Sequence, residues 1–215
     1  MGTYIYGRKS EIKNKDLVEK RRLQICKAAA KLFTKNGYHR TSVKEIAKAS
    51  KISIGSLYDY IHNKEDILYF FYEQYVHDLG RRIEEAAQGA QNPGQELRAA
   101  LMAYLDTVDL FQDYVLFFYQ ESKYMKKKDL ADVLKVELSI MNVFIDIVRK
   151  GDRKYFSVKD PFLFSMFVSL LTCGWALRRW NLKGYSAETY KGCLIDFFLH
   201  GIHADEGAAG VNRAK

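Results

Sequence analysis

The sequence predicts an all-α protein, with a small N-terminal three-helix unit followed by a larger helical domain. Three observations carry that expectation. Only two prolines occur in 215 residues, Pro93 and Pro161, and both stand in turn-like settings (QNPGQ, VKDPF), which leaves long stretches without a helix breaker. No alternating apolar run is bounded by an Asn-Gly or Asp-Gly turn, so the main hairpin signal is missing. Helix-start residues recur in the first third, at Ser42, Ser53 and Asn63, separated by very short turns.

The elements follow in order. Ile25, Ala29, Leu32 and Phe33 are spaced i, i+4, i+7, i+8 and predict a helix over 17–36, closed at Asn36-Gly37, where glycine takes the left-handed conformation of a helix end. Ser42-Val-Lys-Glu45 is a capping-box pattern opening a short helix over 43–50. Ser53 caps a third over 54–60, and Asn63 a fourth over 64–89, with Glu65 and Asp66 placed to suit the helix dipole. Further helices are expected over 94–112, 114–124, 128–150, 160–182 and 186–203. The first three form a compact unit with a helix-turn-helix at its centre. The domain division expected is a basic arm at 1–16, the tri-helical unit at 17–63, a helical domain at 64–203 and a disordered, small and polar tail at 204–215.

Charge separates the two parts. The formal net charge is +8, and residues 1–67 hold 15 Lys/Arg against 7 Asp/Glu, while the rest of the chain is balanced at 19 against 19. A basic block on a neutral body points to a polyanionic partner, nucleic acid or an anionic membrane surface. Cys26, Cys173 and Cys193 fall in no CxxC spacing and fit reduced structural thiols, so a cytoplasmic location is expected, and the start MGTYIYGRKSEIKNKD lacks the apolar stretch of a secretory signal. The longest apolar run, Phe162 to Leu177, is shorter than the roughly 20 residues a spanning helix needs. No membrane association is expected.

From Ile25 to Leu68 the residues Ala28-Ala29, Leu32-Phe33, Gly37-Tyr38, Thr41-Ser42-Val43, Ile46-Ala47, Ile52-Ser53, Gly55-Ser56-Leu57-Tyr58, Tyr60 and Asn63-Lys64-Glu65-Asp66-Ile67-Leu68 closely resemble the DNA-binding domain of TetR-family transcriptional regulators. Two positions depart from that pattern: Lys51 stands where the family often has glycine, and Ile61 where it usually has phenylalanine. The resemblance implies that Thr41, Ser42, Tyr58, Tyr60 and Lys64 contact the DNA backbone and that Ser53, Ile54, Gly55 and Ser56 face the bases. Residue chemistry agrees. A recognition helix entering a major groove about 12 Å wide needs small side chains at its N-terminus, Ile54 suits a thymine methyl, and phenolic hydroxyls and an ammonium suit phosphates. Arg8, Lys9, Lys13 and Lys15 make a basic arm that either reaches a flanking groove or stays mobile.

The remaining two thirds are read less directly. Phe164, Val168, Leu171 and Trp175 line one face of the 160–182 helix and Phe167, Leu170, Gly174 and Leu177 another, so both sides need covering. One side suits the domain's own core, and the other a second chain. In the resembled family the last two long helices form a four-helix dimer interface. The expected interface residues are Phe164, Val168, Gly174, Leu194, Phe197 and Phe198, and the expected assembly is a homodimer on a roughly palindromic operator.

Tyr104, Phe111, Tyr114, Phe118, Met141 and Phe144 suit either an adaptable apolar cavity or ordinary core. The resemblance favours an effector pocket, extended by Phe167, Leu171, Trp175 and Arg178. The WALRRW stretch followed by NLKGYSAETY is similar to members that respond to fatty acyl-CoA, with Arg178 or Arg179 facing an anionic head group. The function implied is a repressor released by a small apolar effector. A DNA-bound adaptor acting through a protein partner is the alternative. No enzyme is expected: the chain has no phosphate-cradling glycine loop and no GxSxG, and His39, His62, His77, His200 and His203 fall in no strong metal spacing, so neither cofactor nor metal is called for.

Overall fold

The computed structural model describes residues 15–125 and 127–201, so the expected basic arm and tail lie outside the described residues. The described residues form nine α-helices and one 3-10 turn, with no strand among them. They are α1 (Lys15–Asn36), α2 (Val43–Ala49), α3 (Ile54–Tyr58), α4 (Lys64–Ala87), α5 (Pro93–Leu110), α6 (Gln112–Glu121), the turn Ser122–Tyr124, α7 (Lys127–Tyr155), α8 (Pro161–Leu177) and α9 (Ala187–Gly201).

Local chemistry accounts for these boundaries. Gly37, at φ +83°, ends α1 and donates its N–H to the Phe33 carbonyl at 2.8 Å. The Ser42–Glu45 capping box is complete: the Ser42 hydroxyl accepts from the Glu45 N–H at 3.2 Å, and the Glu45 carboxylate accepts from the Ser42 N–H at 2.7 Å. Ser53 accepts from the Ser56 N–H, Asn63 from Asp66, Asn92 from Gln95, and Asp160 from Phe162 and Leu163. Pro93 and Pro161 stand at the first helical positions, where a missing N–H costs nothing.

Two ends differ from expectation by five residues. α7 continues through Gly151 to Tyr155 instead of stopping at 150, because packing against Pro93 and Phe156 outweighs the glycine's low helix propensity. α8 stops at Leu177 instead of 182. Past Arg178 the chain closes successive turns, with Asn181 and Leu182 donating to the Arg178 carbonyl and Tyr185 to that of Leu182.

The turn after α2 is a Schellman motif: the Lys51 N–H bonds the Lys48 carbonyl and the Ile52 N–H reaches back to Ala47, both at 3.1 Å. Lys51 therefore takes the position glycine usually holds. Its φ of +56° is the only positive value at a non-glycine among the described residues. A side chain in that region costs on the order of 1 kcal/mol.

The chain divides into two compact units. One is built on residues up to Gln74 together with Phe117–Val133, the other on Tyr75–Leu116 and the residues from Leu134 onward. In the first, α1 packs on α2 and α2 on α3 around Ile25, Ala29, Phe33, Ile46, Leu57, Ile61 and Ile67. Phe117 extends that core by stacking on Phe33 at 5.0 Å between ring centres, nearly parallel. In the second, α5 packs on α8 and α9 around Leu97, Leu101, Tyr104, Val108, Phe144, Val168 and Ile195. No helix among the described residues is long and apolar enough to cross a membrane.

A Cβ built on Gly151 would overlap the buried Phe156 ring and lie 3.1 Å from the Pro93 Cβ. Gly151→Ala is expected to destabilise the second unit by about 1–2 kcal/mol, because overpacking of about 1–3 kcal/mol exceeds the gain in helix propensity of about 1 kcal/mol. A lower midpoint in thermal denaturation checks this; a raised midpoint contradicts it.

Candidate nucleic-acid interface

α3 is five residues long, too short to be stable alone, and it is held by its cap and by Leu57. Leu57 is fully buried, which turns the opposite side of the helix outward: Ser53, Ile54, Gly55 and Ser56 are exposed, and Ile54 keeps 47% of its surface in solvent. A Cβ on Gly55 would meet only the Ser53 Oγ, at 3.9 Å, so the backbone there is open to close approach. Tyr58 is half exposed and Tyr60 half buried. These residues form one contiguous surface of small polar groups, one aliphatic side chain and two phenols. A major groove accepts such a surface: little bulk keeps the backbone from the base edges, and the phenols stand where groove-edge phosphates pass.

Two of the expected backbone contacts have partners within the unit itself. Thr41 is 1% exposed, and its hydroxyl donates to the Gly37 carbonyl at 2.9 Å, so this side chain faces the interior. The Lys64 Nζ donates to the Tyr38 carbonyl at 2.7 Å and the Thr41 carbonyl at 3.1 Å, and lies 4.2 Å from the centre of the Tyr38 ring. Desolvation lowers the Lys64 pKa, opposed by the nearby Glu65 and Glu121 carboxylates. Lys64 thus fastens the start of α4 to the turn between α1 and α2. Nothing in the linear sequence pairs Lys64 with carbonyls more than twenty positions upstream; Asn63 as a cap was the only local signal. Ser42 stays exposed, but its hydroxyl also donates to the Glu45 carboxylate at 2.7 Å.

Positive charge on α2 and in the turns flanking it comes from residues that were not expected as DNA contacts. Arg40, Lys44, Lys48 and Lys51 are exposed, and among the described residues none is paired with a carboxylate. Lys35 and Arg40, with Asn36, Gly37 and Glu45, border an open depression of about 580 Å³.

In the second unit the expected effector residues separate into groups. Tyr104, Met141 and Phe144 are buried, with the Tyr104 and Phe144 rings 6.0 Å apart. The Tyr104 hydroxyl lies 3.4 Å from the Ser169 Oγ and 3.9 Å from the Cys173 Sγ, and Ser169 donates to Glu137 at 3.3 Å. Phe111 and Tyr114 are half buried, 5.7 Å apart. The Trp175 Nε1 donates to Asp109 at 2.7 Å, and Leu171 gives its carbonyl to the Tyr190 hydroxyl. Three residues lie elsewhere. Phe118 is in the first unit, against Tyr72 at 4.2 Å; Arg178 is exposed beside Trp180; Phe167 is 54% exposed.

The expected interface residues divide in a similar way. Phe164, Val168, Leu194 and Phe198 are buried within the unit itself, Phe164 edge-on to Phe198 at 5.5 Å, and Gly174 faces the Tyr190 hydroxyl. Only Phe197, 62% exposed, is at the surface. The outward row of α8 is Leu163, Phe167 and Leu170, at i, i+4, i+7, with Phe162 exposed as well, and Phe197 is the exposed apolar residue of α9. On a helix apolar all round, periodicity finds two faces and does not say which one the core takes.

A tri-helical unit with a capped, outward-facing third helix is a helix-turn-helix domain of the DNA-binding kind. Residues 25–69 match the model of bacterial regulatory proteins of the tetR family. The chain thus carries an N-terminal DNA-binding domain of the tetR type, and the match stops at that domain. It is 34% identical over 118 residues to the HTH-type transcriptional regulator HbdR of Aromatoleum sp. (strain CIB), covering 55% of this chain and 52% of HbdR, so the match spans about half of that relative's length. It is 25% identical over 190 residues to the fatty acid metabolism regulator protein of Bacillus subtilis (strain 168), over 84% of this chain and 95% of that one. The solved structure of the Bacillus subtilis transcriptional regulator FadR in complex with stearoyl-CoA shares the fold, with a TM-score of 0.68 at 20% identity, covering 84% of this chain and 99% of FadR.

Two predictions come from this geometry. Lys64→Met is expected to cost about 1–3 kcal/mol, the range for lost charge-assisted hydrogen bonds at a partly exposed site, read as a lower urea midpoint. An unchanged midpoint would remove the fastening role. Burial pushes the Cys26 thiol up from its ordinary 9.0 to about 12. Above pH 9 the unfolded chain ionises while the folded chain keeps its proton, so this group lowers stability by about 1.4 kcal/mol per pH unit until pH 12. Cys26→Ala should therefore flatten the fall in stability between pH 9 and 11, measured by denaturant titration at each pH.

Proposed function

We propose that the protein is an operator-binding repressor that acts as a homodimer and is released by a small apolar effector. The observation that carries this reading is the surface of α3, where Ser53, Ile54, Gly55 and Ser56 stand free of the core with unpaired cations nearby. Small polar side chains and Ile54 read base edges, while Tyr58 and Tyr60 fix the register on phosphates. Two such heads at fixed separation match a palindromic site with half-sites about one helical turn or a multiple apart.

The row Leu163, Phe167 and Leu170 with Phe197 supports the dimer. Four large apolar side chains, each between 49% and 62% exposed, make a face that a second copy covers by a two-fold contact. For the effector, the apolar residues Tyr104, Met141 and Phe144 accompany the Ser169, Cys173 and Glu137 polar groups in the second unit. The relatives point to its class: one regulates fatty acid metabolism and one was solved with stearoyl-CoA. A long-chain acyl-CoA is therefore the effector to test first. Release follows if the effector prefers a state in which α4 is tilted and the two heads no longer fit successive grooves. Such a protein works in the cytoplasm, where its operator and an acyl-CoA meet.

Phe167→Lys with Leu170→Lys is expected to give a monomer by sedimentation at micromolar concentration, with operator affinity reduced at least about tenfold by loss of the second head. A dimer that persists in this variant removes the assigned face. Operator fragments are obtained by selection from genomic DNA with the wild-type protein. Adding stearoyl-CoA should weaken binding to them at least about tenfold, a coupling of ordinary size. Insensitivity to acyl-CoA and to other apolar metabolites would favour the adaptor reading, in which a protein partner transmits the signal.

A further inference from the structure

Two fully buried hydroxyls of the second unit, those of Thr107 and Ser165, follow the usual course inside a helix: each donates to a carbonyl of the preceding turn, Ala103 and Phe162 respectively, at 2.7 Å. Thr172 does not. It is as fully buried, and its Oγ1 meets no hydrogen-bond partner. A hydroxyl left unpaired in a core is costly, and natural chains keep few of them.

The groups beside Thr172 are polar as well. It follows Ser169 at i+3 and precedes Cys173, and all three are buried on α8. From α5, the Tyr104 hydroxyl lies 3.4 Å from the Ser169 Oγ and 3.9 Å from the Cys173 Sγ, both at the far end of hydrogen-bond range. Ser169 in turn donates to Glu137 of α7 at 3.3 Å. Burial pushes the Tyr104 hydroxyl well above the ordinary tyrosine range, so it keeps its proton and stays a donor. Phe144, its ring 6.0 Å from that of Tyr104, belongs to the apolar core around them.

Two hydroxyls with slack or unused bonding capacity thus stand with a carboxylate in an otherwise apolar interior. A plain hydrocarbon chain offers them nothing and leaves Thr172 unpaired. An oxygen on that chain accepts from both Tyr104 and Thr172, and if it is a hydroxyl its own proton suits Glu137.

We infer that the effector site of the second unit selects a molecule whose apolar part carries an oxygen, as a hydroxyl or a carbonyl, held by Tyr104 and Thr172. This inference rests on the effector reading above and sharpens it: an oxygenated acyl chain fits these groups better than a saturated one.

Isothermal titration calorimetry decides the matter, with stearoyl-CoA and a series of its analogues bearing one hydroxyl or one oxo group at successive chain positions. At least one oxygenated analogue should bind wild type at least about tenfold more tightly than stearoyl-CoA, because a site with polar groups to pair rejects the ligand that leaves them unpaired. Thr172→Val and Tyr104→Phe each remove one hydroxyl at nearly constant volume, and each should cut that ratio at least about threefold. Without ligand, Thr172→Val should melt no lower than wild type, since its hydroxyl has no protein partner to lose. A lowered midpoint in that variant would overturn the assignment. So would a series in which no analogue outbinds stearoyl-CoA, or a preference that survives both substitutions, and either result leaves the acyl-CoA reading intact. If neither stearoyl-CoA nor any analogue binds, the acyl-CoA reading itself falls and this inference with it.

Discussion

The first unit depends on one ammonium group. Lys64 stands at the first position of α4 and donates to the carbonyls of Tyr38 and Thr41, which leave α1 and lead into α2. Those carbonyls follow a helix end; that of Tyr38 also accepts the Thr41 N–H at 3.3 Å, and the cation supplies a further donor to both. Around it, the Tyr38 ring packs against Phe33 at 5.1 Å and Phe117 at 6.1 Å, and the Thr41 hydroxyl closes the same turn on Gly37. The turn fixes where Ser42 starts α2, and α2 in turn carries α3. The outward attitude of α3 is thus set from behind, by the turn between α1 and α2 and the start of α4.

Most of this unit was legible in the sequence, because its signals are local. Ser42 with Glu45, Ser53, Asn63 and Gly37 act within a few residues of themselves, and each cap formed where the pattern placed it. The resemblance spans the same residues. What the sequence concealed is long-range or directional. Lys64 reads as a surface charge, and only the folded turn shows its partners. Thr41 reads as a phosphate contact beside Ser42, and only burial shows it turned inward. Most helix ends were expected to within three residues, except that α7 runs on through Gly151 and that the chain after Leu177 folds into turns.

The second unit was less legible for the reason that makes it interesting. α8 is apolar around its whole circumference, so sequence spacing offered two equivalent faces and assigned the inner one, with Phe164 and Val168, to a partner. The structure places that face against Phe198 and the rest of the core. Leu163, Phe167 and Leu170 remain outside. The polar groups of the interior, Tyr104 with Ser169 and Cys173, then Ser169 with Glu137, were invisible to a search for apolar pockets, since serine and cysteine on a greasy helix read as small spacers.

One feature of α3 bears on how such a protein diversifies. Leu57 alone secures the helix inward, whereas Ser53, Ile54, Gly55 and Ser56 point away from every core residue. Apart from the capping hydroxyl at Ser53, the outward positions bear no weight in folding. Mutation at Ile54 or Ser56 is then nearly silent for the scaffold, so the outward surface of α3 is free to change one residue at a time while the fold persists.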